Sequence, residues 1–300
     1  MDSNSPPEVV AVTTGDGDGS ARKVRVNGGD VHYVVTGEGD RDLVLVHGLH
    51  AHHLWWHGVI PFLVPHCRII SVDLSGHGES QHRTEYTLTA WTTDLAAVIE
   101  DAGSSRPVLV GHSNGGRVAV TTAARYPGMT AGVVMFDSVV RPPWNRPGLR
   151  WGQRARPLRY SATREAAIAR FRLVPEQPDP PAELLAPVAA HSVHEGAGGW
   201  TWKYDQRSPI RLEDELLDWA LATADVPLRY VYAELSVVAD AEGVEYVRKF
   251  RPPGGLEILE LAGLHHHLIL ERPDLCAEVV TDFVHGLPSD ERLAEARSRP

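Results

Sequence analysis

Cysteine is scarce: Cys67 and Cys276 are the two in 300 residues. They permit at most one bridge and form no C-x-x-C pair, which excludes a disulfide scaffold and a thiol-based zinc or redox site. Basic charge is also in deficit. Twenty-nine Lys and Arg stand against 39 Asp and Glu, a formal net charge of −10, so the chain as a whole offers no electrostatic footprint for nucleic acid or an anionic membrane. No apolar run approaches the roughly 20 residues that span a bilayer. The opening MDSNSPPEVV has neither a basic nor an apolar signal region, so no secretory signal is expected there and a cytoplasmic location is. No G-x-x-x-x-G-K, no dinucleotide fingerprint and no metal-ligand spacing occurs, so neither a cofactor nor a metal is expected.

What is present is the composition of a folded globular chain, 43% hydrophobic and 23% charged. Short β-rich runs fall at Lys23–Val26, Val31–Thr36, Leu43–His47, Arg68–Asp73, Val108–Gly111, Val133–Asp137, Leu228–Tyr232 and Leu256–Leu261. The inner ones (LVLV, RIISV, VLV, VVMF) are apolar without alternation, as strands covered on both faces must be. Helical stripes lie between them, for example Leu88, Trp91, Leu95 and Val98, or Leu275, Val279, Val280 and Phe283. The alternation predicts an α/β fold: a mostly parallel, eight-stranded sheet with helices on both faces. Core segments are expected at 21–138 and 226–290, with tails at 1–20 and 291–300. Between the core segments, 139–225 breaks the rhythm. It is rich in Pro, Arg and Trp, shows helical fragments but no clear strand, and is expected to be a helical cap insertion.

Gly111-His112-Ser113-Asn114-Gly115 follows the VLV strand and opens the next helix. A G-x-S-x-G is weak alone, but here a serine on a sharp strand-to-helix turn would hold its hydroxyl at the carboxyl end of the sheet. The helix start would set the Asn114 N–H beside an oxygen that becomes anionic in acyl transfer. The strand ending in His47-Gly48-Leu49 can present a second N–H, that of Leu49. The Asp73–Ser80 turn reads as structural. Of His265, His266 and His267, one is a candidate general base for Ser113, since imidazole titrates near neutrality. A metal reading is disfavoured because three adjacent side chains should diverge.

Together GHSNGG, HGLH, DLSGHGES and HHHLILERPD resemble the α/β-hydrolase superfamily, over about residues 22–288. The resemblance implies a serine nucleophile at Ser113. It also implies a catalytic histidine five residues before Glu271 and seven before Pro273, which is His266. The family's common position for the catalytic acid, after the strand Leu228–Tyr232, holds Ser236, which cannot support an imidazolium as a carboxylate does. Some relatives carry the acid at the end of the strand after the nucleophile helix, here Asp137. It is preferred, with Glu234 and then Asp240 as alternatives. Serine rather than aspartate at the elbow argues against the alkyl-enzyme branches.

The implied activity is hydrolysis of a carboxylic ester or lactone. A C–C hydrolase or cofactor-free haloperoxidase with the same triad, and a non-catalytic ligand-binding protein, are the alternatives. A small apolar or aromatic substrate is expected, lined by His50, Trp55, Trp144 and Trp202. The cap arginines Arg141, Arg146, Arg150, Arg154, Arg156 and Arg159 are candidates for attracting a carboxylate, with a solvated face as the competing reading.

Overall fold

The computed structural model describes residues 12–15, 19–146 and 158–287. Expected tail residues 1–11, 16–18 and 291–300, the expected core residues 288–290, and the cap residues Arg150, Trp151, Arg154 and Arg156, lie outside them. Thirteen strands are present among the described residues: β1 (Val12–Gly15), β2 (Ser20–Val26), β3 (Gly29–Thr36), β4 (Arg41–Val46), β5 (Cys67–Val72), β6 (Tyr86–Thr87), β7 (Val108–His112), β8 (Gly132–Phe136), β9 (Val193–Gly196), β10 (Gly199–Trp202), β11 (Ile210–Arg211), β12 (Leu228–Ala233) and β13 (Leu256–Leu261). The helices are α1 (Ile60–Leu63), α2 (Leu88–Asp101), α3 (Asn114–Arg125), α4 (Arg164–Ile168), α5 (Ala182–His191), α6 (Asp214–Thr223), α7 (Ala241–Val247), α8 (Leu268–Glu271) and α9 (Pro273–Gly286).

The main sheet runs β1-β2-β3-β5-β4-β7-β8-β12-β13. From β5 to β13 every pairing is parallel, and β1, β2 and β3 form an antiparallel edge. All eight expected strands are there. A ninth, β1, falls within residues expected to be tail, because Val12–Gly15 pairs with Ser20–Lys23. One apolar layer joins the sheet to α2, α3 and α6; a second joins its other face to α1, α8 and α9. Connections leave β4 and β7 in opposite directions, and in such a sheet the crevice at the carboxyl ends of those two strands is where ligands are received.

The segment between β8 and β12 carries α4, α5 and α6 but also strands that its sequence pattern did not reveal. β9 and β10 pair as a hairpin, Val193 to Trp202 and Gly196 to Gly199, and β11 pairs with β6. The β-forming residues Trp200, Thr201 and Trp202 beyond a Gly-rich turn explain the hairpin. Pro187 in the middle of α5 obscured its helical stripe. The segment is tied to the core through a fully buried cation. Arg117 on α3 donates to the carbonyls of Val139 (2.8 Å) and Leu212 (2.6 Å) and to the Asp214 carboxylate (2.7 Å).

The turn after β5 is organised by Asp73, fully buried. It accepts from the His32 ring (2.8 Å), the His53 backbone (2.7 Å) and ring (3.0 Å), and the Glu79 backbone (3.0 Å). Burial alone would raise its pKa, but the facing His53 and His32 hold the carboxyl well below the usual range. Removing one partner of a buried, charge-assisted network leaves the others uncompensated. Asp73→Ala is therefore expected to lower unfolding free energy by about 3 kcal/mol or more. The surface variant Asp274→Ala, which loses an exposed pair with Arg272, should change it by less than about 1 kcal/mol. Urea unfolding of both measures the contrast.

Candidate active site

Ser113 sits between β7 and α3 with φ +55° and ψ −119°, a backbone conformation that side-chain-bearing residues rarely adopt. It persists because the surroundings fix both flanks. The Ser113 N–H donates to the Phe136 carbonyl on β8 (2.8 Å). On the other side α3 lies so close to β4 that a Cβ at Gly115 would collide with the Val46 carbonyl. The loop after β4 closes over the serine from the opposite side, and a Cβ at Gly48 would stand 3.1 Å from that of Ser113. Leu49, Ser113 and Asn114 all line one cavity of about 1270 Å³, and so does His266.

His266 is buried, and its Nδ1 donates to Asp137 Oδ2 at 2.7 Å. That contact leaves Nε2 as the nitrogen not engaged by the carboxylate. Asp137 directly follows β8, in the left-handed region (φ +45°) that Asp and Asn tolerate best. It is fully buried, and its oxygens also accept from the Ala233 N–H (2.9 Å) and the Ser236 hydroxyl (2.5 Å). Ser236, at the common position of the family's acid, thus donates to a carboxylate supplied by the neighbouring strand. Asp137 is the preferred acid brought to His266; the alternatives are engaged elsewhere. Glu234 accepts from the Gly263 N–H (2.7 Å), and Asp240 caps α7 through the Gly243 N–H (2.8 Å).

The three histidines do not all diverge as expected. His265 turns to Glu271 (3.2 Å), but the His266 and His267 rings lie 4.7 Å apart, because the turn into α8 folds 267 back over 266. His112, unnoticed in sequence beyond its place in the motif, donates through Nε2 to the His266 carbonyl (2.8 Å) and so braces that turn. Ring nitrogens of His112, His266 and His267 come within 4.8 Å of one another. Burial, reinforced by His266, lowers the His112 pKa to about 3 and holds that of His267 well below its ordinary value.

Of the expected pocket residues, His50, Trp55 and Trp202 line the cavity. Trp144 does not: it is 68% exposed and donates to Glu242 (2.6 Å), with Tyr246 and Lys249 against its ring. Its place is taken by Phe171 and Tyr204, which continue an aromatic wall. Trp55 and Phe171 are 6.4 Å apart, Phe171 and Trp202 6.3 Å, and Trp202 and Tyr204 6.4 Å. Neither residue lies in a motif, so no local sequence signal marked them.

The alpha/beta hydrolase family profile matches residues 43–279, most of the chain. The chain belongs to the alpha/beta hydrolase family. Over 263 residues it is 27% identical to pimeloyl-[acyl-carrier protein] methyl ester esterase of Yersinia enterocolitica, covering 84% of this chain and 96% of that protein. Shorter matches reach Lipase LipV of Mycobacterium tuberculosis (36% over 102 residues, 34% of this chain) and human Epoxide hydrolase 4 (30% over 119 residues, 38% of this chain). These two span only 39% and 33% of those proteins' lengths. No helix among the described residues is long and apolar enough to cross a membrane.

The histidines give the fold a pH dependence of definite sign. Burial lowers His47 and His191 to about 4 and holds His52 and His77 well below the ordinary value, as it does His112 and His267. In the unfolded chain these groups titrate near 6.5. Between there and about pH 4 the unfolded state therefore binds more protons, and stability falls with acidification by up to about 1.4 kcal/mol per pH unit for each such group. His53, whose pKa is raised because Asp73 outweighs the effect of its burial, opposes this weakly. The melting temperature should be flat from pH 8 to 7 and drop steeply between pH 6 and 4.5, above the range where ordinary carboxylates protonate. Calorimetry at fixed ionic strength measures this.

Proposed function

We propose that this chain is a serine hydrolase that cleaves a carboxylic ester or lactone through an acyl-enzyme. The observation that carries the reading is the meeting of Ser113 and His266 in one cavity, with the imidazole's Nδ1 held at 2.7 Å by Asp137. That contact sets the tautomer, so Nε2 is the nitrogen free to take a proton. In the first half-reaction Ser113 Oγ bonds to the carbonyl carbon while its proton passes to His266 Nε2. The carbonyl oxygen becomes an oxyanion received by the N–H groups of Leu49 and Asn114. Collapse breaks the carbon–oxygen bond to the alcohol, which leaves with the proton from Nε2. Water then attacks the acyl group, giving its proton to Nε2, and release of the acid returns that proton to Ser113. Asp137 orients the imidazole and supports the transient imidazolium.

Serine at the elbow favours this chemistry over the epoxide-opening route suggested by the name of one relative. A neutral hydroxyl activated by imidazole suits acyl transfer, whereas opening an epoxide to an alkyl-enzyme uses a carboxylate nucleophile. The aromatic wall of Trp55, Phe171, Trp202 and Tyr204 suits an apolar portion of the substrate.

Ser113→Ala is expected to reduce kcat on short nitrophenyl esters by about 10⁴–10⁶. It should also abolish labelling by a fluorophosphonate, detected as loss of the adduct on the peptide containing residue 113. Wild-type turnover by this variant would end the reading. Asp137→Asn should cost about 10⁴ in kcat, while Glu234→Gln and Asp240→Asn should leave kcat within about twofold. A large loss from either of the latter reassigns the acid.

A further inference from the structure

The cavity is basic in an acidic protein. Seven arginines line it against three carboxylates, whereas the chain as a whole carries −10. Three of the arginines are already paired: Arg117 with Asp214 (2.7 Å), Arg146 with Asp218 (2.5 Å) and Glu215 (3.2 Å), and Arg211 with Glu85 (3.5 Å). The other four, Arg141, Arg159, Arg170 and Arg172, have no carboxylate within 4.0 Å among the described residues. Two of these are nevertheless held in place. Arg170 donates to the Ser161 hydroxyl (3.3 Å) and Arg172 to the carbonyls of Ala169 (2.9 Å) and Phe171 (2.5 Å). Neutral acceptors fix a guanidinium's position without cancelling its charge.

The stretch around Arg141 and Arg159 supplies no counter-charge of its own. From Arg141 to Arg164 the sequence holds seven arginines and no Asp or Glu. Placement ties the uncompensated charge to the site. Arg141 follows Asp137 by four residues, and Arg170 and Arg172 flank Phe171 in the aromatic wall. A guanidinium presents paired donors that match a carboxylate or phosphate; Arg141 is half-buried and Arg172 exposed where they line the cavity, so their attraction for an anion weakens with salt.

Resting on the ester-hydrolase reading, we propose that the substrate carries an anionic oxyacid group, carboxylate or phosphate, that is bound by Arg141 and Arg172 while its apolar portion lies along Trp55, Phe171 and Trp202. The occupant is thus a half-ester or a similarly charged ester rather than a neutral lipid ester.

Two p-nitrophenyl esters of glutaric acid, one with a free terminal carboxylate and one with that carboxylate as its methyl ester, separate the cases. The charged ester is expected to show at least about tenfold higher kcat/KM at low salt, and the ratio should shrink in 0.5 M NaCl. In the double variant Arg141→Gln/Arg172→Gln the ratio should fall to about one. Binding to Ser113→Ala, followed by calorimetry, is read independently of turnover: monomethyl glutarate should bind at least about tenfold tighter than dimethyl glutarate. Replacing the carboxylate by a phosphonate in the same titration distinguishes a dicarboxylic half-ester, if the carboxylate binds tighter, from a phosphorylated substrate, if the phosphonate does. Equal kcat/KM values for the two nitrophenyl esters overturn the proposal. If neither ester turns over, the hydrolase reading fails, and equal affinities of Ser113→Ala for charged and neutral ligands then overturn the proposal too.

Discussion

The left-handed backbone at Ser113 is the constraint around which the site is arranged. Reversing from strand to helix within one residue aims the side chain out of the sheet, and the conformation is tolerated only because β8, β4 and α3 close on it from three directions. The small residue at 115 is a consequence of that crowding, since α3 touches the carbonyl end of β4. The same closeness brings the loop carrying Leu49 over the hydroxyl.

A second feature is the division of labour between β8 and β12. The carboxylate facing His266 comes from the end of β8, but two of its hydrogen bonds come from β12 and the turn beyond it, through Ala233 and Ser236. A buried carboxylate without such donors would be costly to keep ionised. The serine in the family's usual acid position therefore keeps a part in the site, donating to the charge that has moved to the neighbouring strand.

Much of this was legible in the sequence, for identifiable reasons. Strands covered on both faces show as unbroken apolar runs, so the eight expected strands are present. Ser113 and His266 lie in local motifs whose spacing survives without any three-dimensional knowledge. Asp137 was harder, because a lone Asp ending a strand carries no signal of what it faces; the absence of an acid at 236 was the clue. What remained hidden depends on distant pairing. His32, His53 and Asp73 meet across 41 and 20 residues, and no periodicity reports that. Trp144 and Phe171 are both aromatic residues between β8 and β12, and composition alone does not say which points inward. The β9–β10 hairpin is short enough to vanish among helix-forming neighbours.

Arg117 bears on how such a molecule could be altered. Its guanidinium rises from the helix that begins at the elbow and is held by oxygens from two separated points of the segment between β8 and β12, Val139 just after β8 and Leu212 with Asp214 at the start of α6. Exchanging that segment for one from another member of the fold would strand an ionised group in an apolar layer unless the incoming piece supplied equivalent acceptors at both points. That segment is therefore not a modular attachment, and swapping it would require changing residue 117 at the same time.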